Sequence, residues 1–458
     1  MNHPVHLSGR LAAALLCASS ITAHAAFFQL AENSPTGLGN AFAGGAAIAE
    51  DASAVWYNPA GLTRLSRAEY LVGGHIIVPS TEVKSVSGAA VTTAPIGGST
   101  GGDAGESALI PNFYYARRLD ERTVFGFGVN VPFGLATEYD PNWVGRYHAI
   151  RSEIQAINLN PGIGFKLNDQ VSIGGGISYQ MVDAELTQAI DFATICTVSS
   201  GGVFSGTCGA GAGFSPSSNA TKNDGSAKVT ADDKEWGFNL GLLWQAGQDT
   251  RLGLAYRSKM KLKLTGDFDI TAPANVPGAL LTVAGLVDSG AKADVDFPAT
   301  LSLSAYHQVS PEWAIMGDVT RTYWNDLPEL RIIFDSVQPD SVVTLDLKDV
   351  NRYSVGANYR PGGAWMYRFG VALDKTPTPN ETVRTPRLPD EDRTWFAVGA
   401  EYQRSDDLSF GVSFVHIKLD DPKIAKTATG ENQLRGSLTA SYEADVNILS
   451  AQARWVFK

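Results

Sequence analysis

Alternation of apolar with small or polar side chains recurs along almost the whole chain and constrains the fold more than any other feature. In Val171–Met181 the odd positions carry apolar side chains or glycine, and the even positions carry Ser, Gly or Gln. The same pattern returns at Tyr353–Tyr359, Phe396–Tyr402 and Leu408–Phe414. Because successive side chains of a β-strand point to opposite faces, each stretch is predicted to be a strand with one apolar face.

Fourteen such stretches occur between residue 66 and the C-terminus. Tight turns, such as Asn168-Asp169 and Ser310-Pro311, alternate with long polar loops, such as 187–231 and 265–295. An even strand number with short turns at one end and long loops at the other is typical of bacterial outer-membrane barrels. We therefore predict an all-β membrane protein, an antiparallel transmembrane β-barrel of about fourteen strands. The alternative, a periplasmic sandwich or propeller, is less favoured because no blade-length repeat is visible.

Composition agrees with a wall that faces lipid. Only 18% of residues are charged and 47 are glycine, while no stretch approaches 18 consecutive apolar residues that a membrane helix would need. The net charge of −11 argues against a nucleic-acid partner. Tryptophans near the predicted strand ends are expected to form girdles at the membrane interfaces. They are Trp236, Trp313, Trp324, Trp365, Trp395 and Trp455.

Residues 1–25 are predicted to be a cleavable export signal. Arg10 gives a positive start, Leu11–Ala18 is a short apolar core, and Ala23-His24-Ala25 is a cleavage motif. Cys17 raises a lipoprotein signal as an alternative, but Leu16 stands where such signals need a small residue. The mature chain is therefore expected in the bacterial outer membrane.

Two cysteines remain after cleavage, Cys196 and Cys208, in a polar loop rich in Gly and Ser. In an oxidising envelope such a pair is expected to form a disulfide that closes the loop, and two free thiols are the alternative. Because no histidine lies near them to complete a metal set, neither a metal nor a cofactor is expected.

Residues 26–65 differ from the rest and are predicted to form a hatch, a plug inside the barrel of residues 66–458. Small residues at helical spacing run through 36–57, and Pro59, within the motif Asn58-Pro59-Ala60, is expected to end the second helix. A fourteen-stranded barrel is too wide for wall side chains to fill, so an unplugged barrel would leak.

Several motifs together resemble the FadL/TodX family of outer-membrane transporters of hydrophobic compounds. The resemblance lies mainly in the hatch and the first half of the chain, and the strand layout extends it over the mature chain. The motifs are Phe28-Gln29-Leu30, residues 37–44 (GLGNAFAG), residues 47–52 (AIAEDA), Asn58-Pro59-Ala60, residues 132–139 (PFGLATEY) and Tyr256-Arg257-Ser258.

This resemblance implies a monomeric channel in outer-membrane lipid that takes up hydrophobic molecules, with long-chain fatty acids favoured and aromatic hydrocarbons as the alternative. It also implies that Phe27, Phe28 and Leu30 help to line the ligand pocket. Pro132-Phe133-Gly134 should interrupt strand pairing, because proline cannot donate to the ladder. The resemblance implies that this interruption is an inward kink through which the ligand leaves sideways. The residues alone would also fit a strand end or an ordinary bulge.

Four arginines are predicted to face the lumen, where each could bind a carboxylate head group but is better explained as part of a charge network. They are Arg251, Arg257, Arg352 and Arg454. An enzyme is disfavoured because the G-x-S-x-G motif is absent, although Ser302 and Ser304 precede His307. A general porin is disfavoured because it would need no hatch.

Overall fold

The computed structural model describes residues 27–198, 201, 203–217 and 223–457. The predicted signal segment, including its cleavage site, lies outside them. In the described part nineteen strands are assigned. They are β1 (Ala68–Ala89), β2 (Ala108–Arg118), β3 (Thr123–Glu138), β4 (Arg151–Lys166), β5 (Val171–Asp191), β6 (Asp224–Gln245), β7 (Thr250–Arg257), β8 (Met260–Thr271), β9 (Ser289–Phe297), β10 (Thr300–Gln308), β11 (Trp313–Thr322), β12 (Glu329–Phe334), β13 (Ser341–Thr344), β14 (Val350–Tyr359), β15 (Trp365–Asp374), β16 (Arg393–Ser405), β17 (Leu408–Leu419), β18 (Lys423–Lys426) and β19 (Ser437–Phe457).

The strands form a closed antiparallel barrel, because β1 pairs with both β2 and β19. Four wall strands are interrupted along their length and appear as the successive pairs β7/β8, β9/β10, β11/β12 and β13/β14. The short β18 lies beside the outer part of β19. The wall of the described chain therefore has fourteen strands, as the sequence predicts.

Short turns and long loops alternate as expected, but several hairpins are longer than predicted. The β5–β6 ladder continues to the pair Asp191 and Asp224. It therefore extends into the predicted loop 187–231, whose ends are set where the apolar alternation stops. Backbone pairing persists outside the membrane, where neither face of a strand needs an apolar surface. The apolar alternation therefore ends before the hydrogen-bond ladder does.

The outer face of the wall is apolar and ends in aromatic pairs. Trp313 packs on Tyr359 with ring centroids 4.5 Å apart, and Trp365 packs on Tyr402 at 4.9 Å. Trp236 and Trp455 are also exposed. The predicted girdle role is wrong for Trp324 and Trp395, both fully buried inside the barrel.

Residues 27–65 occupy the barrel interior and contain only short helical turns. These are α1 (Pro35–Leu38), α2 (Gly45–Ile48), α3 (Ala54–Tyr57) and a 3-10 helix at Pro59–Arg64. The predicted helical run is broken because Ala41, Phe42, Gly44 and Ala49 have positive φ angles between 48° and 73°. Pro59 follows the end of α3 and begins the 3-10 helix.

The remaining helices lie in the long loops. They are α4 (Phe192–Val198), α5 (Ser205–Cys208), α6 (Gly278–Ala284) and 3-10 turns at Ala210–Ala212, Trp324–Asp326 and Gly430–Asn432. The predicted disulfide between Cys196 and Cys208 is confirmed, and it packs against Leu280 of α6. Among the described residues, no helix is both long and apolar enough to span a bilayer.

Candidate functional site

Glycines of the wall let the backbone of the hatch (residues 27–65) lie directly against the strands. A Cβ atom on Gly253 would overlap the carbonyl oxygen of Ala46. A Cβ atom on Gly370 would likewise overlap the backbone of Asn40. These inward-facing wall positions therefore require glycine for close approach rather than for an unusual φ angle.

Arginines that face the lumen hold the hatch in place by donating hydrogen bonds to its backbone carbonyl oxygens. Arg251 donates to the carbonyls of Ala47 and Ile48 at 3.0 and 3.1 Å. Arg257 donates to Trp56 O at 2.7 Å and stacks over its ring. Because a helical turn leaves carbonyl groups unsatisfied at its C-terminal end, these guanidinium groups also replace water there.

Two further arginines bind the hatch. The fourth arginine predicted to face the lumen, Arg454, pairs with the wall. Arg352 donates to Ala41 O at 2.8 Å. The buried Arg368 forms ion pairs of 2.7 Å with Glu50 of the hatch and Glu401 of the wall. Arg454 is paired instead with the wall residue Glu69 at 2.6 Å.

The motif Asn58-Pro59-Ala60 forms a structural junction between hatch and wall. Asn58 Nδ2 donates to Ala46 O at 2.7 Å and to Leu242 O at 3.0 Å. Its Oδ1 accepts from the backbone N–H of Ala60 at 3.1 Å, which caps the 3-10 helix. Asn58 is buried, so each of these bonds satisfies a group shielded from water.

The first described residues, 27–33, form a separate element that we call the switch segment. Its backbone pairs with Pro132-Phe133-Gly134 of β3: Leu30 N donates to Pro132 O at 2.8 Å, and Gly134 N donates to Phe28 O at 2.9 Å. Gln29 and Phe133 form the antiparallel bridge between these bonds. The switch segment thus acts as a short extra strand against the proline-containing part of the wall.

At this position the wall itself is interrupted. The β3–β4 register shifts between Asn130 and Phe133, which marks a bulge. The β2–β3 ladder ends at the pair Phe113 and Val129. Among the described residues, β2 before Phe113 and β3 after Val129 share no ladder, which leaves a gap that the switch segment lines from inside.

Aromatic side chains fill the lumen beside the gap. Phe28 lies 5.9 Å from Phe133, 5.5 Å from Phe297 and 4.9 Å from Trp324, measured between ring centroids. Phe27 lies 5.1 Å from Trp324. Sequence reasoning missed Phe297 and assigned Trp324 to a girdle, because both residues are distant in sequence from the switch segment and carry no local motif.

Apolar side chains cover this aromatic cluster from the side of the long loops. Leu345, Leu347 and Leu388 belong to the same buried core as Phe27 and Phe28. Leu388 lies in the loop before β16, where Pro386 O accepts a 2.7 Å hydrogen bond from Tyr139. The aromatic cluster is therefore shielded from water on its loop side.

A ladder of asparagines connects the switch segment to the wall beside the gap. Asn33 Oδ1 accepts from Asn130 at 2.7 Å, and Asn130 Oδ1 accepts from Asn158 at 2.8 Å. Asn33 also donates to Leu30 O at 2.9 Å, and its carbonyl accepts from Tyr114 at 2.6 Å. These polar contacts mark Asn33 as the inner end of the switch segment.

The serines near His307 are engaged separately. Ser302 bonds to Thr320 at 2.6 Å, and Ser304 donates to Asp318 while accepting from Ala46 N at 3.0 Å. His307 bonds instead to Thr250 at 2.9 Å. Ser302 and Ser304 therefore belong to the polar lining of the lumen, whereas His307 is exposed on the opposite face of the strand.

The comparisons with known proteins agree with this architecture. The model of the family described as outer membrane protein transport protein (OMPP1/FadL/TodX) matches residues 15–457. The long-chain fatty acid transport protein of Escherichia coli O6:H1 is 29% identical over 407 residues, which cover 87% of this chain and 88% of that protein.

Two solved structures share the fold. A Pseudomonas aeruginosa FadL homologue has a TM-score of 0.86 at 24% identity, covering 94% of this chain and all of the other. The Pseudomonas putida toluene transporter TodX has a TM-score of 0.65 at 18% identity, covering 89% of this chain and 94% of TodX. The matching family comprises transport proteins rather than enzymes. The chain therefore belongs to the OMPP1/FadL/TodX family and is an outer-membrane β-barrel transporter of hydrophobic compounds.

Proposed function

We propose that this protein takes up long-chain fatty acids by passive, ligand-gated diffusion and releases them sideways through the gap beside β3. The observation that carries the proposal is the backbone pairing of Leu30 and Phe28 with Pro132 and Gly134. The same few residues contribute to the apolar core and line the wall gap. Their displacement would therefore vacate a binding pocket and uncover an exit in one movement.

An apolar tail would compete with Phe27 and Phe28 for the aromatic cluster. Burial of each CH₂ group contributes about 0.8 kcal/mol, so a long acyl chain can offset the loss of two phenyl contacts and two hydrogen bonds. The existing contacts with Phe297 and Trp324 would pass to the ligand. This exchange makes opening depend on a ligand of sufficient apolar area.

The rest of the hatch would stay in place. Arg251, Arg257 and Arg368 hold it from different wall strands, and wall glycines fit its backbone closely. No arginine among the described residues binds the switch segment, which is held by two bonds to β3, by the contacts of Asn33, and by single hydrogen bonds from Tyr57 to Ala31 O and from Thr322 to Gln29. Movement of the switch segment alone would open a path for an apolar ligand without opening a wide aqueous pore.

Fatty acids are favoured over aromatic hydrocarbons because the Escherichia coli relative that covers most of this chain is named a long-chain fatty acid transport protein. The TodX likeness concerns the fold and keeps aromatic hydrocarbons as the second candidate. The test is uptake of radiolabelled oleate and of toluene by cells that lack their own transporter and express this chain. Saturable oleate uptake supports the proposal, whereas toluene uptake alone would move the protein to the second candidate.

The exit route has its own test. Pro132→Val combined with Gly134→Val should favour regular pairing of β3 and crowd Leu30, whose Cδ1 atom lies 3.1 Å from the place of a Cβ on Gly134. Oleate uptake should then be lost while the barrel still assembles. Gly175→Val is a suitable control, because its Cβ would meet only atoms at 3.5 Å or more. Normal uptake by an assembled double variant would exclude this exit.

A further inference from the structure

Glu32 of the switch segment is a fully buried carboxylate that no other residue binds. Its exposed fraction is 0%, and within the described ranges no other residue donates a hydrogen bond to Oε1 or Oε2. It lies next to Asn33, which anchors the inner end of the segment, and two residues from Leu30, which bonds to β3. A change in the contacts or charge of this carboxylate therefore directly affects the switch segment, which covers the gap.

A cross-strand row of charged side chains faces Glu32 from the wall. Arg352 of β14 lies opposite Asp374 of β15, which lies opposite Arg393 of β16. All three are close enough for their charges to act on the Glu32 carboxylate, and from the hatch Tyr57 is close enough to feel its charge.

The two arginines already have other partners. Arg352 donates to Ala41 O and Arg393 to Asp390, while Arg352 Nε and Arg393 Nη1 remain without a partner in the part of the chain described. Glu32 thus faces positive charge without forming an ion pair. An ionised carboxylate in this position has lost its water and has gained no hydrogen bond from another residue in return.

The cost of burying charge sets the protonation state of Glu32. Burial raises its pKa from 4.5 to about 7, and a hydrogen bond from its own backbone N–H together with the charges of Arg352 and Arg393 offsets only part of this rise. When the segment moves into hydrated surroundings, the carboxyl group should return to its ordinary pKa. Departure of the segment is therefore coupled to loss of a proton near neutral pH.

A cavity of about 140 Å³ lies beside the switch segment. It is lined by Ala31 and Asn33, which flank Glu32, and by Arg352 and Asp374, which face it. Its other walls include the hydroxyl groups of Thr300, Ser302 and Thr320. This cavity, lined by both polar and apolar residues, can accommodate ordered water next to the segment.

We propose that Glu32 is a proton-linked positioning residue: the switch segment closes on β3 with Glu32 protonated and leaves it with Glu32 ionised. The inference rests on the proposed movement of this segment but not on the identity of the ligand. Because the carboxyl group binds its proton more tightly when closed, its contribution to closure is complete below pH 4.5 and disappears as pH rises through about 7. Acid therefore holds the gap shut, and neutral pH eases opening.

The test measures opening without any ligand. Leu30 is 2% exposed, so a thiol introduced by Leu30→Cys should react with a maleimide only when the segment leaves β3. Labelling rates are compared between pH 5 and 8 for this variant with Glu32 intact and for the same variant with Glu32→Gln. Both proteins carry the same thiol, so the ratio of their rates removes the pH dependence of the reagent.

The ratio should rise with pH, approaching tenfold per unit between pH 5 and 7 and levelling above pH 7. Glu32→Gln should remain slow throughout, since it imitates the protonated form. A ratio that does not change with pH in assembled protein would overturn the proposal. If Glu32→Gln fails to assemble, Glu32→Ala serves the same comparison. Glu312→Gln, in the short turn between β10 and β11, should keep the wild-type pH profile. If oleate is not taken up but the labelling ratio changes with pH as expected, the proposed fatty-acid cargo is contradicted and this inference stands.

Discussion

At the scale of single residues, buried polar side chains determine how the hatch is joined to the wall. Asn58 binds two carbonyl oxygens and one N–H group, which belong to the hatch and to β6. Its amide supplies both the donors and the acceptor, a combination that neither Asp nor Leu can provide. The sequence marks this residue only as a turn former before proline, so its role in joining two elements emerges from tertiary structure.

Replacement of this residue should be costly. Asn58→Ala leaves the buried carbonyls of Ala46 and Leu242 without their donor, and we expect the free energy of unfolding to fall by about 2 to 4 kcal/mol. Urea titration of protein reconstituted in lipid measures the change. Asn142→Ala, at an exposed loop position, should alter stability by less than about 0.5 kcal/mol. Equal losses in the two variants would contradict the assigned role.

At the scale of elements, the hatch and the switch segment are fixed to different degrees. The hatch beyond Asn33 fits against wall glycines and accepts hydrogen bonds from several arginines. The switch segment is held by two bonds to β3, an asparagine ladder, hydrogen bonds from three hydroxyl groups and apolar packing, without an arginine contact in the described residues. In the proposed mechanism the hatch beyond Asn33 seals the lumen, and the switch segment opens and closes the gap in the wall.

A side chain at a hatch-facing glycine should break the seal. Gly253→Ala would place a Cβ where the Ala46 carbonyl lies, so the hatch must shift, and steady ion conductance should appear in planar bilayers. Gly317→Ala is the matched control, because its Cβ would meet no atom closer than 3.6 Å. Equal conductance of the two variants would show that the hatch does not depend on this close fit.

The disulfide should order the loop that follows β5 without supporting the barrel. Cys196→Ser with Cys208→Ser removes a cross-link over 12 residues, worth roughly 3 kcal/mol by loop entropy. We expect residues 192–217 to become sensitive to protease on intact cells while the barrel stays assembled. Val203→Ser, an exposed change in the same loop, should leave protection unchanged. Failure of the double variant to assemble would assign the disulfide a wider role.

At the scale of the whole molecule, strand periodicity predicts the closed fourteen-stranded wall, because alternation is a local property of each strand. The aromatic cluster could not be predicted in the same way, since Phe28, Phe297 and Trp324 meet only after the barrel closes. Trp395 is a different case: it directly precedes the outward-facing Phe396, so alternation alone places it on the inner face, and the predicted girdle role disregarded this. Glu32 carried no sequence signal, because its effect depends on three wall strands.

The most direct test of the account is a reversible lock between the switch segment and β3. Gln29 and Phe133 are antiparallel bridge partners, so Gln29→Cys with Phe133→Cys should allow a disulfide across the contact. Oleate uptake should be blocked when the pair is oxidised and should return on reduction, while the reductant leaves uptake by the unmodified protein unchanged. Normal uptake through the oxidised, cross-linked protein would contradict the claim that the switch segment must leave β3 for transport.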